Sequence, residues 1–237
     1  MTLDDLQNGY FIWQHEQGFR FGMDAVLLSS YAKVRRDESV LDLGTGNGII
    51  PLLLASKTQS RQIRGIELFE KNVSLANKSI SYNSLEDRIG IKEGDIREIR
   101  SLFDAASFDV AVSNPPYMPA GHGFVAPDEE KAAARHEIRC TVFDVAAAAS
   151  FVLKGGGRFY MVHRPERLSD IFRAFDANHL EIKRMRFVHP SYGREPNLLL
   201  LEARKGAASG VRIEAPLYVY DENGNYTEET LSFYGMP

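Results

Sequence analysis

The 237-residue sequence predicts a doubly wound α/β fold, and three observations carry that expectation. Short apolar, β-branched runs alternate with amphipathic helical patterns, as they do in a sheet covered by helices on both faces. A glycine-rich turn follows the first buried run and leads directly into a helical pattern. Later runs end in acidic residues or in Asn-Pro-Pro, so polar chemistry gathers at successive strand ends.

Taken in order, Tyr10–Gln14 reads as a strand, with a turn near Gly18 and a second arm over Phe19–Phe21 closing a small hairpin. A helix is expected over Asp24–Lys33. The sheet then follows as strands over Ser39–Leu43, Gln62–Leu68, Ile89–Glu93, Phe108–Ser113, Gly157–His163, Glu181–Val188 and Asn197–Ala203. Helical patterns fall between them over Gly48–Lys57, Glu70–Asn83, Ile138–Leu153 and Pro165–Asn178. Gly155-Gly156-Gly157 punctuates the chain before the fifth of these strands. One domain accommodates everything: residues 1–37 as an N-terminal hairpin and helix, 38–205 as the seven-stranded, mostly parallel sheet, and 206–237 as an extended surface tail.

Composition sets the surroundings. Hydrophobic residues at 44% and charged residues at 25% are globular values, which excludes a disordered or fibrous chain. A single cysteine, Cys140, allows no internal disulfide and suits a reducing compartment. There is no long apolar run, and the Met1-Thr-Leu-Asp-Asp start lacks the basic-then-apolar order of a signal peptide, so a cytoplasmic location is expected. The histidines show no metal-ligand spacing and no metal is expected. A monomer or weak homodimer is the expected assembly. The net charge is −4 but unevenly spread. Lys154–Lys205 holds eleven Lys and Arg against six Asp and Glu, while the rest holds 17 basic and 26 acidic residues. A basic half of this kind suits a polyanionic partner and equally suits a plain solvated surface.

The chemistry concentrates in two constellations. In the first, the strand through Asp42 ends in a G-x-G-x-G turn, Gly44, Gly46 and Gly48, where a ligand can lie against bare backbone. Glu67 ends the next strand, 19 residues after Gly48, where a carboxylate can accept from a ribose diol. Asp95 follows the third strand, where it can accept from an adenine amino group. Each residue also has a plainer reading, as a tight turn for the glycines and as a helix-terminus group for Glu67 and Asp95. Three such strand ends in sequence favour a nucleoside cofactor. In the second constellation, a strand runs into Asn114-Pro115-Pro116-Tyr117. Two prolines fix the backbone and remove two donors, so the Asn114 side-chain oxygen and the Pro115 carbonyl can both accept from one planar amino group. That interaction frees the nitrogen lone pair for attack on an electrophilic methyl. Tyr117 offers a ring for a flat substrate, although a Pro-rich loop with a core tyrosine would look the same.

These residues resemble a known family. The segments Gln17–Leu28, Val40–Ala55, Gly65–Leu68, Gly94-Asp95, Ser113–Tyr117, Ala134–Glu137 and Glu195–Lys205 together are similar to class I S-adenosylmethionine-dependent methyltransferases of the N(6)-adenine type. They are closer still to the bacterial tRNA(Val) adenine-N(6)-methyltransferase family. The resemblance implies a Rossmann-like fold, S-adenosylmethionine as cofactor, and tRNA as substrate, methylated on an adenine beside the anticodon. It implies that Gly44 and Gly46 line the methionine part of the cofactor with Asp42 near its amino group. Glu67 would hold the ribose and Asp95 the adenine ring. Asn114, beside the cofactor, would position the target base together with Pro115, Pro116 and Tyr117. Gly22 and Asp24 belong to the segment that closes over the cofactor. The family has threonine where this chain has Met23, so that contact is expected of Asp24 and not of Met23.

Other readings stay open at this point. His136, after the Gly121–Asp128 loop, is a candidate base that the reaction hardly requires. Tyr192 and Arg194 lie in the basic half, in reach of RNA by position. Asn-Pro-Pro-Tyr also serves enzymes acting on DNA, rRNA or protein glutamine. The short stretch ahead of the sheet disfavours the glutamine enzymes, and the lack of a recognition insertion disfavours the DNA enzymes. A non-catalytic scaffold would be expected to have lost the glycine turn or the Asn-Pro-Pro-Tyr run, and both are intact.

Overall fold

Buried runs bounded by turn residues become strands, and in the computed structural model, which describes residues 1–15, 22–116 and 140–235, they form one large sheet. Chain order is β1 (Thr2–Asp5), β2 (Phe11–Gln14), α1 (Met23–Tyr31), β3 (Ser39–Leu43), α2 (Ile49–Lys57), β4 (Gln62–Glu67), α3 (Glu70–Tyr82) and β5 (Ile89–Glu93). It continues through α4 (Ile99–Leu102), β6 (Phe108–Ser113), α5 (Val142–Val152), β7 (Leu153–His163), α6 (Leu168–Ala177), β8 (Leu180–Ser191) and β9 (Leu198–Lys205). It ends with β10 (Arg212–Ile213), β11 (Leu217–Tyr220) and α7 (Glu228–Phe233).

The sheet order is β10-β8-β9-β7-β6-β3-β4-β5, with β11 also on β8. Strands β3 to β7 are mutually parallel, and β9 runs antiparallel between β7 and β8. The mainly parallel, doubly wound architecture expected from the sequence is present. Period-two alternation divides its core. Val40, Ile63, Val110, Val112 and Val162 meet α1, α2 and α3 on one face, and Leu41, Leu43, Ile66, Ala111 and Met161 meet α5 and α6 on the other.

Two expectations are corrected, and one pairing is unforeseen. The arm of the hairpin that pairs with Phe11–Gln14 is Thr2–Asp5 upstream, in the register Thr2↔Gln14 to Asp5↔Phe11. The expected arm over Phe19–Phe21 lies outside the described residues. That hairpin is stabilised by docking on α3: the Phe11 backbone N–H donates to Asn83 Oδ1 at 2.8 Å and that of Trp13 to Ser79 Oγ at 2.9 Å. The glycine run 155–157 does not precede its strand but lies within β7 as an irregularity, where the register shifts between Phe108↔Leu153 and Val110↔Arg158.

The C-terminal residues do not form an extended surface tail. β10 and β11 add parallel to β8, giving nine strands where seven are expected, and Leu217, Val219 and Thr230 are buried. The cause is alternation: Leu217 and Val219 face the core while Tyr218 and Tyr220 face away. Lys57 Nζ fastens α7 by donating to the Phe233 carbonyl at 2.9 Å and to Ser29 Oγ at 3.1 Å. Leu217→Ala should therefore cost about 2–5 kcal/mol, the range for emptying a packed leucine site. Thermal melting checks this, and an unchanged Tm would mean that the segment is only laid on the surface.

The basic half also differs from its sequence appearance. Lys154 pairs with Asp109, Arg158 with Glu38, Arg184 with Glu202 and Glu214, Arg186 with Glu229, Arg204 with Glu202, and Arg167 with Asp170. Four of these carboxylates, Glu38, Asp109, Glu214 and Glu229, come from outside the segment and offset most of its local excess of five positive charges.

Candidate active site

Parallel strands put all their carboxyl ends on one edge, and the chain reverses its direction of strand addition between β3 and β6. Such a switch point leaves a crevice just beyond the strand ends. The β3–β6 register, Asp42↔Val112, places the glycine turn and Asn114 at the head of adjacent strands, about 4.8 Å apart by ordinary sheet spacing. Ser113 Oγ donates to the Leu43 carbonyl at 2.8 Å and ties the two strand ends together.

The glycine turn is shaped by its surroundings. Gly46 has φ +57°, and its N–H donates to Glu67 Oε2 at 3.0 Å. Gly48, φ +84°, caps α2, and a Cβ there would come within 3.0 Å of Ala76 Cβ on α3. A Cβ at Gly44 or Gly46 would meet nothing closer than 3.7 Å, so that side of the turn is open to a ligand. Beneath it, Gly44 N–H and Thr45 N–H both donate to the Ile66 carbonyl at 3.0 Å.

Asp42 is the anomaly of the site. It is fully buried, and neither carboxyl oxygen has a hydrogen-bond partner. Burial raises its pKa to about 7; the nearby Thr45 hydroxyl opposes that rise and the Glu67 charge adds to it. An acceptor pair without partners, under an open glycine turn, is what a bound cationic amino group would satisfy.

Glu67 is buried and well occupied. Besides Gly46 N–H it accepts from Phe69 N–H and Asn72 Nδ2, each at 3.1 Å on Oε1. Of roughly four acceptor positions on a carboxylate, three are therefore used within the chain. Asp95 caps the 3₁₀ turn Ile96–Glu98, accepting from Arg97 N–H at 2.9 Å and forming a fork with the Arg97 guanidinium. The plainer capping reading of Asp95 thus describes a contact that exists, and the carboxylate stays partly exposed on the same edge.

Asn114 and Pro115 are half-buried and Pro116 is exposed, directly after β6. Gly22 precedes α1 as its N-cap and Asp24 lies in the first turn. Facing that turn, Tyr234 has its pKa pushed well above the ordinary value, mainly by burial and then by Tyr226, Tyr220 and the Asp24 charge. Tyr117, the Gly121–Asp128 loop and His136 lie outside the described residues.

Sequence reasoning missed several neighbours of the site. Asn72 holds Glu67, and its only local signal is its place in the first turn of α3. Gln14, buried at the end of β2, accepts from Asn47 Nδ2 at 3.5 Å and joins the N-terminal hairpin to the glycine turn. His163, which carries no motif in the sequence, ends β7 one strand from Asn114. Burial lowers its pKa to about 4, and its Nδ1 accepts from Arg164 N–H at 2.8 Å, so the ring is neutral. Among the described residues no group of His, Cys, Asp and Glu could hold a metal ion, and no helix is long and apolar enough to cross a membrane.

An open glycine turn and an unpartnered buried carboxylate beside an Asn-Pro-Pro strand end, on this sheet, form the arrangement of a class I methyltransferase, and the family model described as the methyltransferase small domain matches residues 21–177. A Tolumonas auensis protein named tRNA1(Val) (adenine(37)-N6)-methyltransferase is 31% identical over 225 residues, covering 94% of this chain and 91% of that protein. A Porphyromonas gingivalis protein of the same name is 32% identical over 219 residues, with 89% and 85% covered. The chain belongs to the methyltransferase small-domain family and, within it, to the family of these tRNA1(Val) adenine-N6-methyltransferases. A crystal structure of a predicted O-methyltransferase from Agrobacterium tumefaciens shares the fold, with a TM-score of 0.74 at 20% identity, covering 90% of this chain and 95% of that one. The cofactor is S-adenosylmethionine, and the unpartnered Asp42 beneath the open glycine turn fits its charged amino group.

Proposed function

We propose that this protein transfers a methyl group from S-adenosylmethionine to the exocyclic 6-amino group of an adenine in tRNA, the adenine beside the anticodon of tRNA(Val). The observation that carries this reading is the pairing of β3 with β6, which sets Gly44 and Asn114 side by side at the switch point. When bound, S-adenosylmethionine supplies an electrophilic methyl on a sulfonium.

The chain supplies position and polarisation. Asp42 holds the cofactor's amino group, and Gly44 and Gly46 give it room. Glu67 takes the ribose by giving up its contact with the Asn72 amide. Asp95 receives the adenine ring while keeping its cap, and Gly22 and Asp24 close the segment above. Asn114 Oδ1 and the Pro115 carbonyl accept from the two N–H bonds of the target amine, which concentrates the lone pair on nitrogen. Pro116 stiffens the loop and Tyr117 stacks on the base. No covalent enzyme intermediate is needed: as the N–C bond forms the S–CH3 bond would break, leaving a neutral thioether, and the methylated amine would release its extra proton to water. Tolumonas and Porphyromonas relatives bearing the tRNA1(Val) name support the RNA acceptor.

The test uses radiolabelled S-adenosylmethionine and total tRNA from a strain lacking this protein, with the labelled nucleoside identified after digestion. N(6)-methyladenosine confined to tRNA is the expected product. Label on DNA or on protein glutamine instead, with tRNA unlabelled, would overturn the reading.

A further inference from the structure

We infer that the β8–β9 loop and β11 form a platform on which an unpaired base of the RNA substrate stacks. This rests on the reading of the enzyme as acting on RNA and adds where, beyond the reacting adenine, that RNA is held. β8 runs parallel to β7, so its end at Ser191 lies on the same sheet edge as Asn114. It is three strands away, about 14 Å by ordinary strand spacing. That is a reach of a few nucleotides of single strand.

Three rings meet there. His189 and Tyr218 are paired across β8 and β11 with centroids 5.4 Å apart, and Tyr192 lies 5.9 Å from Tyr218. Tyr192 is 81% exposed, yet its loop is firmly pinned. Arg194 N–H donates to the Ser191 carbonyl at 3.2 Å and Asn197 N–H to Val188 O at 3.0 Å. His189 Nδ1 meets the Arg194 carbonyl at 2.7 Å, and Arg164 Nη1 donates to Asn197 O at 2.9 Å. A large aromatic ring held out to water on an ordered loop loses little entropy on stacking, and base–aromatic stacking is how unpaired RNA is gripped.

Charge selects the occupant. Six of the eleven cations of the basic half are held in ion pairs within the fold, and the exposed Arg194, two residues from Tyr192, is among those with no ion pair among the described residues. Further along the same segment, the stacked rings of Tyr220, Tyr226 and Tyr234 stand near Asp221, Glu222 and Glu228 in the sequence. That acidic neighbourhood repels phosphate, so RNA binding is confined to the Tyr192 end.

The experiment measures fluorescence anisotropy of a labelled anticodon stem-loop RNA on the full chain, with S-adenosylmethionine affinity measured separately. Tyr192→Ala is expected to weaken RNA binding roughly tenfold, raising KM for RNA while leaving kcat at saturating RNA and cofactor affinity unchanged. Tyr192→Phe should bind as the wild type does, because the ring face remains, and Tyr226→Ala should not weaken RNA binding. Wild-type RNA affinity in Tyr192→Ala, or an equal loss in Tyr226→Ala, would overturn the platform. Absence of tRNA methylation by the wild type bears on the proposed reaction alone, because the binding readout decides the platform whether or not the reaction occurs.

Discussion

Replacing Asn114 by alanine is expected to lower kcat for methyl transfer roughly 10²–10³-fold, the usual consequence of removing one positioned polar group at a reacting centre. The side chain sits half-buried at the end of β6, one strand from the glycine turn, where the backbone of Pro115 and Pro116 offers no donors. Without the Asn114 oxygen, only the Pro115 carbonyl remains to polarise the target amine, and its lone pair stays delocalised into the ring. The loss should fall on kcat, with RNA affinity within a fewfold of the wild type, because stacking and phosphate contacts are untouched. Asn114→Asp should retain far more activity than Asn114→Ala, since a carboxylate oxygen still accepts from the amine as positive charge develops on its nitrogen. Single-turnover kinetics with saturating cofactor separate chemistry from binding. A kcat within threefold of wild type would remove Asn114 from the reaction.

The second large effect concerns Asp42. Its pKa stands at about 7 in the folded protein against 3.8 ordinarily. Below pH 3.8 both folded and unfolded chains carry the proton, and the full contribution to stability is present. As the pH rises the unfolded chain ionises first, so stability falls until the folded pKa is passed. The loss amounts to on the order of 4 kcal/mol by pH 8. Asp42→Asn removes that penalty, so the cofactor-free variant should melt several degrees higher than wild type at pH 8 and nearly equally at pH 4. The same change should weaken S-adenosylmethionine binding about 10- to 100-fold, because a hydrogen bond from a charged amino group is lost. Wild-type affinity should strengthen as pH rises through 7, with a proton released on binding. Melting curves and calorimetry at two pH values check both halves. Equal cofactor affinity of variant and wild type would show that Asp42 does not meet the amino group.

Where strands are buried on both faces, the sequence was legible to the residue. Ser39–Leu43 and Phe108–Ser113 stand as expected, and so does the less buried edge strand Ile89–Glu93, because β-branched and apolar residues bounded by turn residues have few other uses. The placement of Asp42, Glu67, Asp95 and Asn114 on one edge was equally legible, since parallel strands leave no alternative. What escaped notice depends on partners distant in sequence. Thr2–Asp5 is an acidic tetrapeptide that becomes a strand only because β2 docks on α3. Leu217-Tyr218-Val219-Tyr220 alternates correctly, but its turn-rich flanks concealed that β8 offers a free edge. The basic half looked like a surface for polyanions because Glu38, Asp109, Glu214 and Glu229, which neutralise it, are scattered through the chain.

The position of β9 between β7 and β8 bears on the order of assembly. β3, β4 and β5 are neighbours in both sequence and space, joined by single helices, so they can pair as soon as they are synthesised. β8, by contrast, has no place against the sheet until the later-made β9 has been laid beside β7, and β10 and β11 then wait on β8. Pairings that bridge distant or later segments close slowly, and chains are built from the N-terminus. The strands that lead into the glycine turn and Glu67 are thus made early, and those that carry Tyr192 and Tyr218 last.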